Sequence, residues 1–301
     1  MMRYNNLGSY LRARYGGNVD KMCLDGGFTC PNRDGRCGTG GCIFCGERGA
    51  GEHIRGKADI PSQVASFFRA RPKVKRAIAY FQNFTSTYAP VDTLRTLYTD
   101  AIRDERVVAL AIGTRPDCID EPIADLLCAL KEHVDVWVEL GLQTASDETA
   151  ALINRGYPTA EFEHAYRLLH ARGIGVVAHV MIGLPSEGPR EWESTLRYLC
   201  AFELFGIKIH SLYVMEGTVL ERMYRQGDYA PLTMEEYVEA VVSLLIHLPP
   251  DLTVHRLTGD CRRSLLVAPA WSADKDAVLA RITATLEERD LTQGCLYHNE
   301  K

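Results

Sequence analysis

At 301 residues and 46% apolar content, the chain can bury one large core, and an α/β barrel of this length is commonly a single domain. A net charge of −5 excludes a globally basic, nucleic-acid-coating surface, although a local basic patch stays compatible with it. No apolar run reaches the length that spans a bilayer, so no membrane partner is expected and a soluble, cytoplasmic protein is.

The first eighteen residues mix Arg3, Tyr4, Tyr10, Arg12, Arg14 and Tyr15, and read as a leader (1–18) that caps the sheet edge or the mouth of a site. From about residue 20, β-branched apolar runs alternate with helical spacing. Strands are predicted at 21–25, 77–81, 107–112, 134–142, 174–182 and 207–215, with helices between them at 61–71, 91–106, 121–133, 160–172 and 190–205. Pro61 before Ser62 and Pro90 ahead of Asp92 are helix-start signals. Parallel strands need crossover helices, so six strand–helix units imply a parallel sheet with helices outside. Six units are too few for a closed eight-fold barrel, so an open, partial (β/α)6 TIM-like barrel is expected over 19–225. After residue 226 the rhythm changes: a helix at 234–248, an extended segment at 253–259 and a helix at 273–289 read as a C-terminal α+β extension (226–301) packed on the barrel. All six expected strands end in donors, acceptors or glycines, and barrel chemistry collects at that rim.

Ten cysteines are present, five of them between Cys23 and Cys45. Cys118, Cys128, Cys200, Cys261 and Cys295 are scattered singly, and most of them read as small buried hydrophobes. The dense run gives Cys30-x11-Cys42-x2-Cys45, with Cys37 inside the long gap. Thiolates in this density select zinc, copper(I) or an iron–sulfur cluster. Three of them hold a 4Fe–4S cluster and leave one iron open to chemistry. Zinc would recruit Cys37, and C-x6-C-x4-C-x2-C holds only one short pair, an awkward zinc pattern. A disulfide framework is disfavoured because no apolar secretory segment is seen at the N-terminus.

Several motifs then line up in order. They are Asp25-Gly-Gly-Phe-Thr-Cys-Pro-Asn-Arg-Asp-Gly35, Gly40-Gly-Cys-Ile-Phe-Cys45, Tyr80-Phe-Gln-Asn-Phe-Thr-Ser-Thr-Tyr-Ala-Pro90 and Gly113-Thr-Arg-Pro-Asp-Cys118. Glu139-Leu-Gly-Leu-Gln-Thr144, Ile153-Asn-Arg-Gly156, Gly183-Leu-Pro-Ser-Glu187 and Arg256-Leu-Thr-Gly-Asp260 follow. Over roughly residues 3–272 the chain resembles the radical S-adenosylmethionine (SAM) enzymes, in the Elongator-catalytic-subunit-like branch that includes the YhcC-type bacterial proteins. The resemblance implies a 4Fe–4S cluster on Cys30, Cys42 and Cys45 and SAM on its open iron. Reductive cleavage of SAM to a 5′-deoxyadenosyl radical, a flavodoxin- or ferredoxin-type electron donor and oxygen-labile activity are implied with it. Cys37 departs from the family ligand pattern.

The resemblance further implies cofactor contacts from Phe44, Gln82, Thr114, Glu139, Gln143, Arg155, His179 and Gly183. Phe44 packs on adenine in this reading, or is a core aromatic. Gln82 stands where many relatives place a glutamate for the SAM amino group, and it brings no charge. Gln143 and Arg155 match residues that handle ribose and carboxylate, a surface salt bridge being the plain reading of Arg155. His179 replaces an aspartate, which puts the ribose contact there in question. Gly183-Leu-Pro supplies backbone to the adenine edge, or is only a tight turn.

For substrate, the branch implies the wobble uridine of tRNA, with carboxymethylaminomethyl trimmed to aminomethyl. No acetyltransferase domain is seen, so carboxymethylation by acetyl transfer is not expected. Arg3, Arg12, Arg14, Arg256, Arg262 and Arg263 are candidate phosphate contacts. Arg69, Arg71, Lys73, Lys75 and Arg76 belong on the far rim, as a solvated basic face. Two alternatives stand beside this: a radical SAM enzyme for a small or porphyrin-like molecule, and a structural zinc or iron–sulfur protein using all four clustered cysteines.

Overall fold

The computed structural model describes residues 2–47, 49, 58–260 and 262–298; Cys261 lies outside them. In chain order the elements are α1 (Leu7–Tyr15), β1 (Asp20–Leu24), α2 (Ile60–Ala70), β2 (Ala77–Phe81), α3 (Val91–Ala101), β3 (Val107–Thr114), α4 (Glu121–Leu130) and β4 (Asp135–Gln143). Then come α5 (Asp147–Leu152), α6 (Thr159–His170), β5 (Gly175–Ile182), α7 (Pro189–Cys200), β6 (Gly206–Ser211), β7 (Val214–Met215) and α8 (Val219–Gln226). The chain closes with α9 (Met234–His247), β8 (Thr253–Arg256), β9 (Leu266–Ala268) and α10 (Lys275–Glu288).

Seven strands form one sheet in the order β1-β2-β3-β4-β5-β6-β8, every pair parallel. The order is open at β1 and β8, so the sheet curls into a partial TIM-like barrel. Its seventh strand comes from the segment expected to be extension: β8 pairs with β6 through Gly206–Thr253 and Lys208–Arg256. The expected sixth strand, 207–215, is in fact two. β6 stops at Ser211, and after Leu212 and Tyr213 the chain leaves the sheet to pair Val214–Met215 with β9, antiparallel. Predicted helices ran long at their C-termini; α3 stops at Ala101, before the turn in which the Asp104 carboxylate accepts from Arg106 N–H and guanidinium.

Local chemistry explains the starts. The Asp59 carboxylate accepts from Ser62 N at 2.7 Å ahead of α2, Asp120 caps α4, and Thr233 with Glu236 forms a capping box on α9. Outside the sheet, Leu94, Leu110, Leu127, Phe162, Leu169 and Ile282 are among the fully buried residues of the sheet–helix core. Inside it, Leu7 and Leu11 of α1 pack on Ile78, Ala109 and Trp137. The leader therefore fills the barrel at the strand N-termini, and Asn5 O accepts from Val254 N at the β8 edge. Of the scattered cysteines, Cys118, Cys128 and Cys200 are half-buried and Cys295 is exposed, so that one is no core hydrophobe. Among the described residues no helix is long and apolar enough to cross a membrane.

Candidate functional site: a cavity at the C-terminal rim of the sheet

The loop after β1 is tied down by its own backbone and by two neighbours. Arg33 and Asp34 N–H donate to Cys30 O, Cys37 N–H to Pro31 O, and Cys45 N–H to Cys42 O at 3.0 Å. Asn32 Nδ2 donates to Asn154 O at 2.6 Å, Asn154 Nδ2 returns to Gly41 O at 2.7 Å, and Ile43 bridges to Ile153 and Leu220. Gly41 has φ +78°, and a Cβ there would sit 2.8 Å from the Arg33 side chain. Arg33 uses that space to donate to the carbonyls of Cys45 and Gly46.

This loop roofs a cavity of about 290 Å3 at the strand C-termini. Cys30, Cys42 and Cys45 all line it. Cys37 does not: it is exposed, with its sulfur 3.6 Å from Arg115 Nη2. The Cys45 thiol is lowered to about 7 by its hydrogen bond with Cys42, which together with Arg33 outweighs burial; the same bond and burial push Cys42 well up. An electropositive setting of this kind favours the thiolate that metals require. Among the described residues no three His, Cys, Asp or Glu side chains converge closely enough to hold one metal ion. A four-thiolate zinc site needs that convergence on a single centre. Three thiols on one wall, with the fourth turned away, fit a cluster, whose irons each take one thiolate.

Of the other expected cofactor contacts, Phe44, Gln82, Thr114, Glu139, Gln143 and His179 are on the cavity wall, and Arg155 and Gly183 are not. Gln143 closes β4 at φ +62°, beside a register shift against β5, and its Oε1 accepts from Tyr157 OH at 3.2 Å. Phe84, also on the wall, has φ +54°. Left-handed non-glycine residues are costly and concentrate at functional sites. The Thr114 hydroxyl lies 2.6 Å from that of Thr87, so the two share one hydrogen bond.

Arg155 is fully buried, and it forms an ion pair with Asp147, whose side chain is 58% exposed. Its five N–H groups serve Tyr157 O, Leu142 O, Thr144 O, Asp147 Oδ1 and Thr159 Oγ1. It locks the β4 exit in place rather than presenting a fork to the cavity. Gly183 has φ +94° and its carbonyl accepts from Tyr229 OH at 2.9 Å.

Glu139 and His179 belong to a polar cluster at the cavity floor that the motifs did not disclose. Tyr80 OH donates to Glu139 Oε2 at 2.6 Å, His179 Nε2 lies 3.0 Å from the same oxygen, and Lys208 Nζ contacts both Glu139 and Tyr80. Burial raises Glu139, but Lys208, His179 and Lys21 outweigh it and hold the carboxyl well below its usual range. Burial lowers His179 to about 4, so the ring is neutral at pH 7 and donates to the carboxylate from Nε2. His210 and Arg256 complete this level, with Arg262 also on the cavity wall. The remaining basic candidates are elsewhere: Arg3 pairs with Asp290, Arg14 with Asp135, Arg12 Nη2 contacts Ser9, and Arg263 contacts Ala273 O.

Residues 33–199 match the model of the radical SAM superfamily, and residues 205–288 match the radical SAM C-terminal domain. The chain belongs to the radical SAM superfamily. It is 36% identical to Protein YhcC of Escherichia coli over 97% of this chain and 95% of that one. It is 38% identical to YtqA of Bacillus subtilis over 97% and 92%. A more distant relative, 28% identical over 64% of this chain and 41% of its own, is the tRNA uridine(34) acetyltransferase of Dehalococcoides mccartyi. Among solved structures, the Methanocaldococcus infernus Elp3 with an N-terminal deletion superposes with TM-score 0.66 at 19% identity, covering 78% of this chain and 59% of that one. This is a radical SAM enzyme of the YhcC-like branch, and its cofactors are a 4Fe–4S cluster and SAM.

Proposed function

We propose that Cys30, Cys42 and Cys45 hold the cluster, and that the enzyme modifies the side chain of the wobble uridine of tRNA by trimming carboxymethylaminomethyl to aminomethyl; SAM, spent to methionine and 5′-deoxyadenosine, would be the two-electron oxidant of the carbon next to nitrogen, and water would release the two-carbon fragment as glyoxylate. The observation that carries the first part is the selection among four cysteines: three line one cavity and Cys37 faces out of it. When bound, the cluster and SAM supply a carbon radical able to abstract hydrogen from an unactivated carbon, given one electron from a flavodoxin- or ferredoxin-type donor. The chain's residues do the rest. Arg33 neutralises the thiolate loop while its bonds to the Cys45 and Gly46 carbonyls keep that loop shaped. Gln82 and the amide nitrogen of Gln143, both on the cavity wall, would receive polar groups of SAM, and Phe44 would cover its adenine. Arg155 and Tyr157 fix the β4 exit on which Gln143 sits.

The tRNA reading is supported by the distant similarity to a tRNA uridine(34) acetyltransferase and by Arg256 and Arg262 on the cavity wall. It is tested by incubating the reconstituted enzyme, anaerobically with SAM and reductant, with tRNA bearing carboxymethylaminomethyluridine, and analysing the digested nucleosides by mass spectrometry. The expected result is conversion to aminomethyluridine. An unchanged nucleoside profile alongside steady production of 5′-deoxyadenosine contradicts it.

A further inference from the structure

The cavity floor gathers basic side chains around one buried carboxylate. Four donors meet on the Glu139 carboxylate: Tyr80 at 2.6 Å, His179 at 3.0 Å, Trp137 Nε1 at 3.4 Å, and Lys208. Both of its oxygens are thereby engaged. Around it stand Lys208, which is 1% exposed, and Lys21; their ammonium groups each lie 4.6 Å from the Tyr80 ring centroid. Arg256 is the register partner of Lys208 on β8 and pairs with Asp260 at 3.2 Å. Lys208, Arg256 and Arg262 thus bring basic side chains to a wall whose one buried carboxylate is Glu139, and burying the Lys208 ammonium is costly.

Two polar groups on residues that line the cavity also lack a full set of partners. Lys208 gives N–H groups to Glu139 and Tyr80, and among the described residues no third acceptor completes its ammonium. His210, two residues along the same strand face, has its ring centroid 5.1 Å from that of His179 with the planes tilted by 43°, and its Nε2 is buried with no partner among the described residues. An unpartnered buried ring nitrogen, a donor in its Nε2–H tautomer, beside a buried lysine suits an acceptor that carries negative charge.

We propose that Lys208 and His210, backed by Arg256, form a subsite at the cavity floor that receives a carboxylate of the substrate. One carboxylate oxygen accepts from Lys208 Nζ and the other from His210 in its Nε2–H tautomer. A small planar anion matches two donors on successive inward positions of one strand, and it pairs with Lys208 without displacing Glu139. This deepens the function proposed above and rests on it for the identity of the ligand: carboxymethylaminomethyl ends in a carboxylate and aminomethyl does not, so the subsite holds the part of the side chain that is removed.

Burial, with Lys21 and Arg256, lowers Lys208 to about 7 in spite of Glu139, and lowers His210 well below its usual range. The groups facing Lys208 are Glu139, His179, His210, Lys21, Tyr80 and Arg256. An added anion favours charged Lys208, so carboxylate binding takes up a proton and weakens as pH rises above about 7.

The test is calorimetric titration of the anaerobically reconstituted enzyme with two probe pairs that differ only in the carboxymethyl group. These are 5-carboxymethylaminomethyluridine against 5-aminomethyluridine, and N-benzylglycine against benzylamine. The wild type should bind the carboxylate member about tenfold or more tightly, with proton uptake revealed by comparing two buffers at about pH 8. The pair Lys208→Met with Glu139→Gln removes both charges together, so no carboxylate is stranded, and should abolish that preference, the two members of each pair then binding equally. His210→Phe should reduce the preference about threefold. Preference in the benzyl pair alone keeps the subsite and overturns the uridine reading; preference in both pairs supports both. No preference in either pair, or a preference that survives the double variant, overturns the subsite, and the uridine reading is then judged by its own nucleoside assay. Competition by SAM that disappears in the double variant assigns the subsite to SAM's own carboxylate and overturns the proposal as well.

Discussion

The two ends of the barrel interior lie a single inward step apart on the same strands and are built by opposite means. At the strand N-termini, Ile78, Ala109 and Trp137 meet Leu7 and Leu11, and the space is dry and filled. Two residues on, about 6.6 Å along a strand, Tyr80 follows Ile78, Glu139 follows Trp137, and Lys208 follows Gly206, and the interior becomes a charged floor under the cysteine loop. The period of two keeps each pair on one face. What the difference teaches is a division of labour: the dry end fixes the barrel's geometry, which lets the wet end keep polar groups that no apolar core would tolerate. At the wet end the fold's stability is partly given up for a reactive cavity, as functional sites commonly require.

Breaking each end should therefore have distinct effects. The largest is expected from Lys208→Met alone, which strands the buried Glu139 carboxylate and should cost about 3–5 kcal/mol in denaturant unfolding. Adding Glu139→Gln should recover most of it, and a single variant as stable as the wild type would show that the pair is not buried as described. Next comes Leu11→Ala at the dry end, expected to cost about 2–4 kcal/mol through lost burial and a cavity. Here SAM cleavage per folded molecule should be unchanged, and its loss would mean that the plug shapes the site directly.

A smaller effect, and one of pH, concerns the histidines. His255 packs edge-on against Trp137 and Phe205 with both ring nitrogens unpaired among the described residues, and burial lowers it to about 3; His179 is lowered to about 4. The unfolded chain protonates such rings near 6.5. Between these values the unfolded state binds more protons, so stability rises with pH across roughly pH 4 to 6.5 and is complete above that. Urea midpoints measured over this window should fall with acidification, and His255→Phe should flatten the slope; an unchanged slope would remove His255 from the account. The smallest effect belongs to Arg14→Ala. Its pair with Asp135 is about half-exposed, and Asp135 keeps its bond from Tyr15, so the change should stay within about 1 kcal/mol.

Much of this was legible in the chain, for physical reasons. Cluster ligation by a short loop needs closely spaced cysteines, so the run from Cys30 to Cys45 stands out by density, but density does not separate Cys37 from the three proposed ligands. The strands announce themselves because residues buried on both faces read as apolar β-branched runs. The floor was hidden by the same logic. Gly206-Ile-Lys-Ile-His-Ser211 alternates apolar and polar, which ordinarily marks a solvated face, and only curling of the sheet turns Lys208 and His210 inward. The available signal was that a strand covered by helices outside has no solvated face to offer. Arg155 was misleading in another way: its motif position suggested a ligand fork, but all five donors are spent on the β4 exit. The split of 207–215 into two strands escaped notice because the run stays apolar through the break, and the partner strand β9 lies more than fifty residues downstream.

The central claim is that three of the four clustered cysteines make the reactive centre. The direct measurement is anaerobic reconstitution with iron and sulfide, then dithionite and SAM, with 5′-deoxyadenosine and bound iron quantified for the wild type, Cys42→Ala and Cys37→Ser. The account predicts deoxyadenosine and a full iron complement from the wild type and Cys37→Ser, and neither from Cys42→Ala. Loss of iron and product in Cys37→Ser, or their retention in Cys42→Ala, would contradict it.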